Sequence, residues 1–91
     1  MLPVIWKETA IADLSKIVEY IGEHNPKASH SLHTDIQAAA LLLADHPYMH
    51  KAGRVVGTRE VVVTTNYLLI YKVEADRVDI LNVLHSRQAY P

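Results

Sequence analysis

A two-residue break, Asn25-Pro26, separates two apolar stripes of helical spacing, and it constrains the fold more than any other feature of the chain. An Asn side chain accepts the free N–H groups of a first helical turn, and Pro at the first helical position gives up a donor that has no partner there anyway. The break therefore predicts that a second helix starts almost where a first one ends. Upstream, Ile11, Leu14, Ile17, Val18 and Ile21 fall on one helical face, with Asp13, Lys16, Glu19 and Glu23 opposite, predicting a helix over about 9–24 behind Thr9. Downstream, Ala28, Leu32, Ile36, Ala39, Ala40 and Leu43 predict a second helix over about 26–45, stopped by His46-Pro47. Helices joined this closely fold back as an antiparallel hairpin, and the hairpin's shared apolar face needs a sheet to cover it.

The rest of the chain supplies that sheet. Val4-Ile5-Trp6 predicts a short strand over 2–7, kept near an edge by Pro3. Residues 47–58 hold two of the three glycines and read as a long loop. Arg59–Thr64, Tyr67–Val73 and Arg77–Leu84 are rich in β-branched and aromatic residues and are separated by hairpin-length breaks, which predicts a consecutive antiparallel meander. The expectation is one α+β domain over 1–91 in the order β-α-α-β-β-β, with the N-terminal strand and the helical hairpin packed on one face of a small, mostly antiparallel sheet. Strand alternation puts Arg59 with Val61 and Val63, and His85 with Leu81 and Val83; register decides whether the two sets meet. Apolar residues on both faces of Tyr67–Tyr71 leave a second apolar sheet face, for which a partner is predicted.

Composition narrows the functions. The chain has 91 residues, 49% of them hydrophobic, which suits one small core and excludes disorder. It has no cysteine, so disulfides, thiol nucleophiles and Cys-based zinc sites are out, and a reducing cytoplasm is the expected setting. Its apolar runs fall far short of the roughly 18 residues of a membrane span, and Met1-Leu2-Pro3-Val4 has no signal-like pattern. The net charge of −1 disfavours a protein that works by neutralising many phosphates. Charge is unevenly spread: residues 1–50 carry three basic and six acidic side chains, residues 51–91 six basic and four acidic. Any anion-facing surface is expected from the second half.

No phosphate-cradling glycine loop, nucleophile elbow or zinc-protease motif is present. His30 and His33 have a metal-compatible i, i+3 spacing near Asp35 and His24, but no third ligand is forced to join them, so a solvated helix face is the default and no metal or cofactor is expected. His46 and His50, flanking Pro47-Tyr48-Met49, are treated in the same way. Trp6 reads as a packing aromatic rather than a binding platform.

Gly53-Arg54-Val55-Val56-Gly57-Thr58-Arg59-Glu60, the Tyr-Leu-Leu-Ile-Tyr-Lys-Val strand from Tyr67, and the closing Val83-Leu84-His85-Ser86-Arg87-Gln88 resemble the RelE/ParE superfamily of bacterial toxins. Trp6-Lys7-Glu8-Thr9-Ala10, with Asp13-Leu14 and Ile17, Tyr20 and Ile21, is similar to that family's first strand and helix. The resemblance implies the toxin of a type II toxin–antitoxin pair, causing growth arrest and neutralised by a cognate antitoxin, with operator DNA reached only through that antitoxin. RelE-like members cut messenger RNA on the ribosome; ParE-like members block DNA gyrase. Cleavage by 2′-hydroxyl attack needs proton transfer and cationic stabilisation of the transition state. The resemblance offers Arg59 and Arg87 for charge, His85 for proton transfer and Tyr90 as a hydroxyl or stacking group, and the same four are the candidates for contacting a protein target. A base near Arg87 is expected to stay neutral, while Arg59 has the plainer alternative of snorkelling over the sheet. The near-neutral charge, the few cations before the second strand (Lys51 and Arg54) and the ParE-like His-Ser-Arg-Gln ending favour gyrase inhibition. The alternatives are a ribosome-dependent endonuclease and a non-toxic module that serves only antitoxin-mediated autoregulation.

Overall fold

In the computed structural model, which describes residues 1–88, Asn25 caps the second helix as predicted. Its side-chain oxygen accepts the Ala28 N–H at 3.0 Å, and Pro26 opens α2 (Pro26–Leu42). This helix stops short of 45 because its last turn tightens: the Leu43 and Ala44 N–H groups reach back three residues, to the Ala40 and Leu41 carbonyls at 3.1 and 3.2 Å. The first helix, α1 (Glu8–Gly22), starts one residue before Thr9, with no side-chain cap at Lys7. The Thr9 hydroxyl is spent elsewhere, donating to the Leu81 carbonyl at 2.6 Å.

The helices bury slightly different stripes from those predicted. Ala10 and Leu14 of α1 are buried, with Ile17, Val18 and Ile21 partly so, whereas Ile11 is 52% exposed. In α2 the inward positions are Ser29, Leu32, Ile36 and Ala40, and Ala28 faces out. Small residues, Ala10 and Ser29, take the inward places next to Ile11 and Ala28, Ser29 where α2 passes α1 close to the hairpin turn. There the buried Ser29 hydroxyl donates to the Val18 carbonyl at 2.7 Å, satisfying its polar group across the joint.

A four-stranded sheet closes the core, in the order β1-β4-β3-β2 for β1 (Val4–Trp6), β2 (Arg59–Thr64), β3 (Tyr67–Val73) and β4 (Val78–His85). The three later strands form the antiparallel meander, and β1 lies at an edge, parallel to β4 in the register Val4↔Val78 to Trp6↔Ile80. One core sits between the helical hairpin and the sheet, where Leu14, Leu32, Ile36 and Leu43 meet Val61, Leu69, Tyr71, Ile80 and Val83. Because β1 ends at Trp6, the edge of β4 beyond Ile80 would be left open, and Leu81 bulges there between the pairs Ile70↔Asn82 and Tyr71↔Ile80. The start of α1 closes that edge. The Lys7 N–H donates to the Ile80 carbonyl at 2.9 Å, Thr9 takes the Leu81 carbonyl, and Asp13 accepts from the Val83 N–H and the Asn82 amide at 3.0 and 3.1 Å.

The sheet face away from the helices is not left open, contrary to expectation. Leu68 and Leu84 are 7% and 6% exposed there, and Ile70 is fully enclosed. Val62, the cross-strand partner of Leu68, stays 60% exposed at the β2 edge of that face, and further exposed apolar side chains stand at the end of α2, Leu41 (70%) and Leu42 (55%), and at Met49 (55%). Among the described residues no helix is long and apolar enough to cross a membrane.

Candidate functional site

Register separates the two residues whose meeting the sequence leaves open. Arg59 pairs with Tyr71, and His85 pairs with Tyr67, four residues away along β3 and on its opposite side. At about 3.3 Å per residue, four residues place them roughly 13 Å apart along the strand before any lateral offset is counted. They occupy opposite corners of the sheet.

Arg59 is turned onto its own loop. Its Nη1 donates to the His50 carbonyl at 2.7 Å and approaches the Tyr48 carbonyl at 3.5 Å, and the guanidinium lies 5.0 Å from the Tyr48 ring centroid. The Tyr71 hydroxyl donates to the Pro47 carbonyl at 2.7 Å, and the His50 ring meets the Tyr71 ring edge-on at 6.4 Å. Residues 47–50 are thereby tied to the corner of the sheet. Burial raises the pKa of Tyr71 above 10.0, against the opposing pull of the Arg59 charge and a hydrogen bond from the His50 backbone, so the phenol remains a donor. Burial likewise lowers the His50 pKa from 6.5 and favours its neutral ring. The plainer role considered for Arg59, a stem over the sheet, is extended by the structure into a clamp on this loop.

His85 ends β4 in a compact turn. Its Nδ1 accepts the Arg87 backbone N–H at 3.1 Å, so in the neutral ring the proton sits on Nε2. The ring packs edge-on against Tyr67 at 5.2 Å, the Gln88 N–H donates back to the His85 carbonyl at 2.9 Å, and the Ser86 N–H donates to the Asn66 carbonyl at 2.7 Å. What Arg87 gives His85 is its amide, not its guanidinium, which is exposed and makes no ion pair among the described residues. Tyr90 lies outside the described residues. This corner thus offers a fixed imidazole with one arginine next to it in sequence, and the second predicted cation is elsewhere.

The segment read as a long loop contains an ordered hairpin. The Gly53 N–H donates to the Thr58 carbonyl at 2.7 Å and the Glu60 N–H to the Lys51 carbonyl at 3.2 Å, with Ala52 bridged to Arg59. The Thr58 hydroxyl donates to the Val55 carbonyl at 2.6 Å. Glu60, only 4% exposed, accepts the Arg54 N–H at 3.0 Å, and its carboxylate lies 3.6 Å from Arg54 Nε. Glycine is needed twice here: a Cβ on Gly53 would strike Thr58 Oγ1, and Gly57 has φ +86°. The signal was present in the sequence as Gly53, Gly57-Thr58 and an acidic residue within a strand of valines.

Two apolar clefts flank the helices. One, of about 570 Å³, runs along α1 and α2 and is lined by Trp6, Ile11, Leu14 and Val18, with Glu19 and His33 at its border. The other, of about 500 Å³, lies between α2 and the edge strand β2, among Ala39, Leu42, Met49 and Val61–Val63. Trp6 packs against the core and also lines the first cleft. His33 faces that cleft while His30 is exposed, and among the described residues no three metal-ligating side chains come together.

The sequence pattern of the ParE toxin of type II toxin–antitoxin systems matches residues 4–90. The chain is 33% identical over 87 residues to toxin Y4kP of Sinorhizobium fredii, covering 94% of this chain and 90% of that relative. It is 34% identical over 88 residues to toxin RelE2 of Caulobacter vibrioides, covering 94% and 97%. Among solved structures it is similar to a chain of the chromosomal ParDE toxin–antitoxin system from P. aeruginosa, with a TM-score of 0.83 at 19% identity over 93% of this chain and 96% of that one. It is also similar to a chain of the RelBE2 toxin–antitoxin complex from Mycobacterium tuberculosis, with a TM-score of 0.65 at 24% identity over 92% and 96%. These last two likenesses are of fold.

Proposed function

Because the chain belongs to the ParE toxin family of type II toxin–antitoxin systems, we propose that it arrests growth by binding DNA gyrase as a protein ligand and is neutralised by a cognate antitoxin. One observation carries the choice of target: Arg59 and His85 stand at opposite corners of the sheet, and Arg59 is engaged by the His50 carbonyl. Phosphodiester cleavage by a 2′-hydroxyl needs a base and cationic groups converging on one phosphate. The Arg59–His85 arrangement does not supply that convergence. Inhibition by protein contact needs no such convergence and suits a net charge of −1.

The antitoxin reading draws on the two apolar clefts. A segment that folds on binding gains affinity by burying such surface while it orders. The exposed Leu42, Met49 and Val62 supply apolar area to the second cleft. The RelE-like alternative draws on the His85 turn, where one ring nitrogen is fixed by the Arg87 amide and Nε2 is left to exchange a proton.

The test is to express the chain without its antitoxin and follow DNA-damage signalling and bulk messenger decay in the same arrested cells. DNA-damage signalling with stable messenger is the expected result. Rapid messenger cleavage with quiet DNA would transfer the function to the His85 corner. Unaltered growth would leave only the autoregulatory module.

A further inference from the structure

Val56 is the most exposed large apolar side chain described, at 99%, and Val55 beside it is 36% exposed. A lone exposed valine is ordinary; the frame that presents this one is not. The Gly53–Thr58 backbone bond, the Thr58 hydroxyl on the Val55 carbonyl, the left-handed Gly57 and the buried Glu60 carboxylate on the Arg54 N–H all brace the same six-residue tip. Enclosing a carboxylate is costly unless it is bonded, and here the bonds made by Glu60 fix a loop whose outermost side chain, Val56, is almost wholly exposed. Bracing of this kind lowers the ordering cost of binding, so it serves a contact made elsewhere.

We infer that the 53–58 hairpin tip is a preformed wedge whose Val55-Val56 apex enters an apolar depression on gyrase; this rests on the gyrase reading above. The shape selects the kind of partner. A convex, rigid, apolar tip needs a concavity already formed in a folded protein, whereas an antitoxin segment that orders on binding brings no concavity and suits the clefts instead. Charge selects the border: Lys51, which makes no ion pair among the described residues, flanks the tip, whereas Arg54 is paired with Glu60 and Lys72 with Glu74, so a depression with an acidic group facing Lys51 is complementary.

The experiment compares wild type, Val56→Asp, Val56→Ser and Val56→Ile in inhibition of supercoiling by purified gyrase. Melting temperatures provide the control for folding, which should hold because the Val56 side chain packs against nothing. Val56→Asp and Val56→Ser should each raise the concentration for half-inhibition at least tenfold, with Val56→Ile near wild type and all melting within about 2 °C of one another, as for a surface substitution. Full inhibition by Val56→Ser would overturn the wedge, since loss in Val56→Asp alone would then reflect charge. Full inhibition by all three variants would overturn it while leaving the gyrase reading intact. Failure of the wild type to inhibit gyrase would remove that reading and the wedge with it. Unaltered gyrase inhibition with lost binding to a single-stranded RNA oligonucleotide would assign the tip to nucleic acid and refute the proposal.

Discussion

Replacing Arg59 by alanine separates a clamp from a catalytic group. The substitution removes a hydrogen bond of 2.7 Å from a guanidinium to the His50 carbonyl, a longer 3.5 Å approach to Tyr48, and a cation stacked 5.0 Å from the Tyr48 ring. A hydrogen bond from a charged donor contributes roughly 1.5–3 kcal/mol, and partial exposure of Arg59 sets it at the low end. The stack over an exposed ring adds about 0.5–1 kcal/mol, and the long contact little. The expected loss is about 2 kcal/mol, which in a domain of this size lowers Tm by roughly 8–16 °C. Residues 47–50 keep their ties to Tyr71: its hydroxyl on the Pro47 carbonyl, the His50 backbone hydrogen bond to that phenol and the edge-on His50 ring. Arg59→Lys should recover part of the loss, because an ammonium reaches one carbonyl but stacks less well on the ring. Thermal melts followed by circular dichroism read the stability, and growth arrest at 20 °C reads the function. Arrest should persist in Arg59→Ala while the melt moves down. An unchanged Tm with arrest abolished would refute the clamp and return Arg59 to the target-binding or catalytic site.

Other consequences follow from the same contacts. Ile36 is fully buried between α2 and the sheet, and Ile36→Ala should cost about 2–5 kcal/mol in urea unfolding, a large share of what so small a domain has; a cost under about 1 kcal/mol would mean that the core assignment is wrong. Asp13→Ala should lose about 1–3 kcal/mol because the Val83 N–H is left without its acceptor, whereas Asp13→Asn, which keeps an accepting oxygen, should restore most of it. Equal melts for the two variants would exclude the edge-closing role. His50 has its pKa lowered from 6.5 by burial, so above that value it is neutral in both states and contributes no pH dependence. Below it the unfolded chain binds the proton first, and stability falls as pH drops toward the lowered folded value. Melts from pH 7.5 to 5 should therefore fall less steeply for His50→Gln than for wild type, and parallel slopes would contradict the burial of that ring.

The helical hairpin was legible because its signals are local. Asn25-Pro26 sets the α2 start through one side-chain bond and one missing donor, and the three-strand meander follows from short breaks between β-branched runs. The errors lie where distant parts of the chain decide. The first helix starts at Glu8 and so takes Thr9 into its first turn, with its hydroxyl on a carbonyl 72 positions away, and Ala10 and Ser29 rather than Ile11 and Ala28 face inward. The parallel pairing of β1 with β4, the Leu81 bulge and the enclosure of Ile70 are likewise products of assembly. At the site, the sequence named Arg59, His85 and Arg87 but carried no register, and without register the two corners cannot be told from one. The braced 51–60 hairpin was hidden behind its glycines, which mark a loop equally well whether it is slack or tightly bonded.

The most direct test of the account places purified toxin in two assays side by side: supercoiling of relaxed plasmid by gyrase, and integrity of a messenger in a translating extract. The account predicts dose-dependent loss of supercoiling, reversed by the cognate antitoxin, with the messenger intact. Messenger cleavage at toxin concentrations that leave gyrase fully active would contradict it.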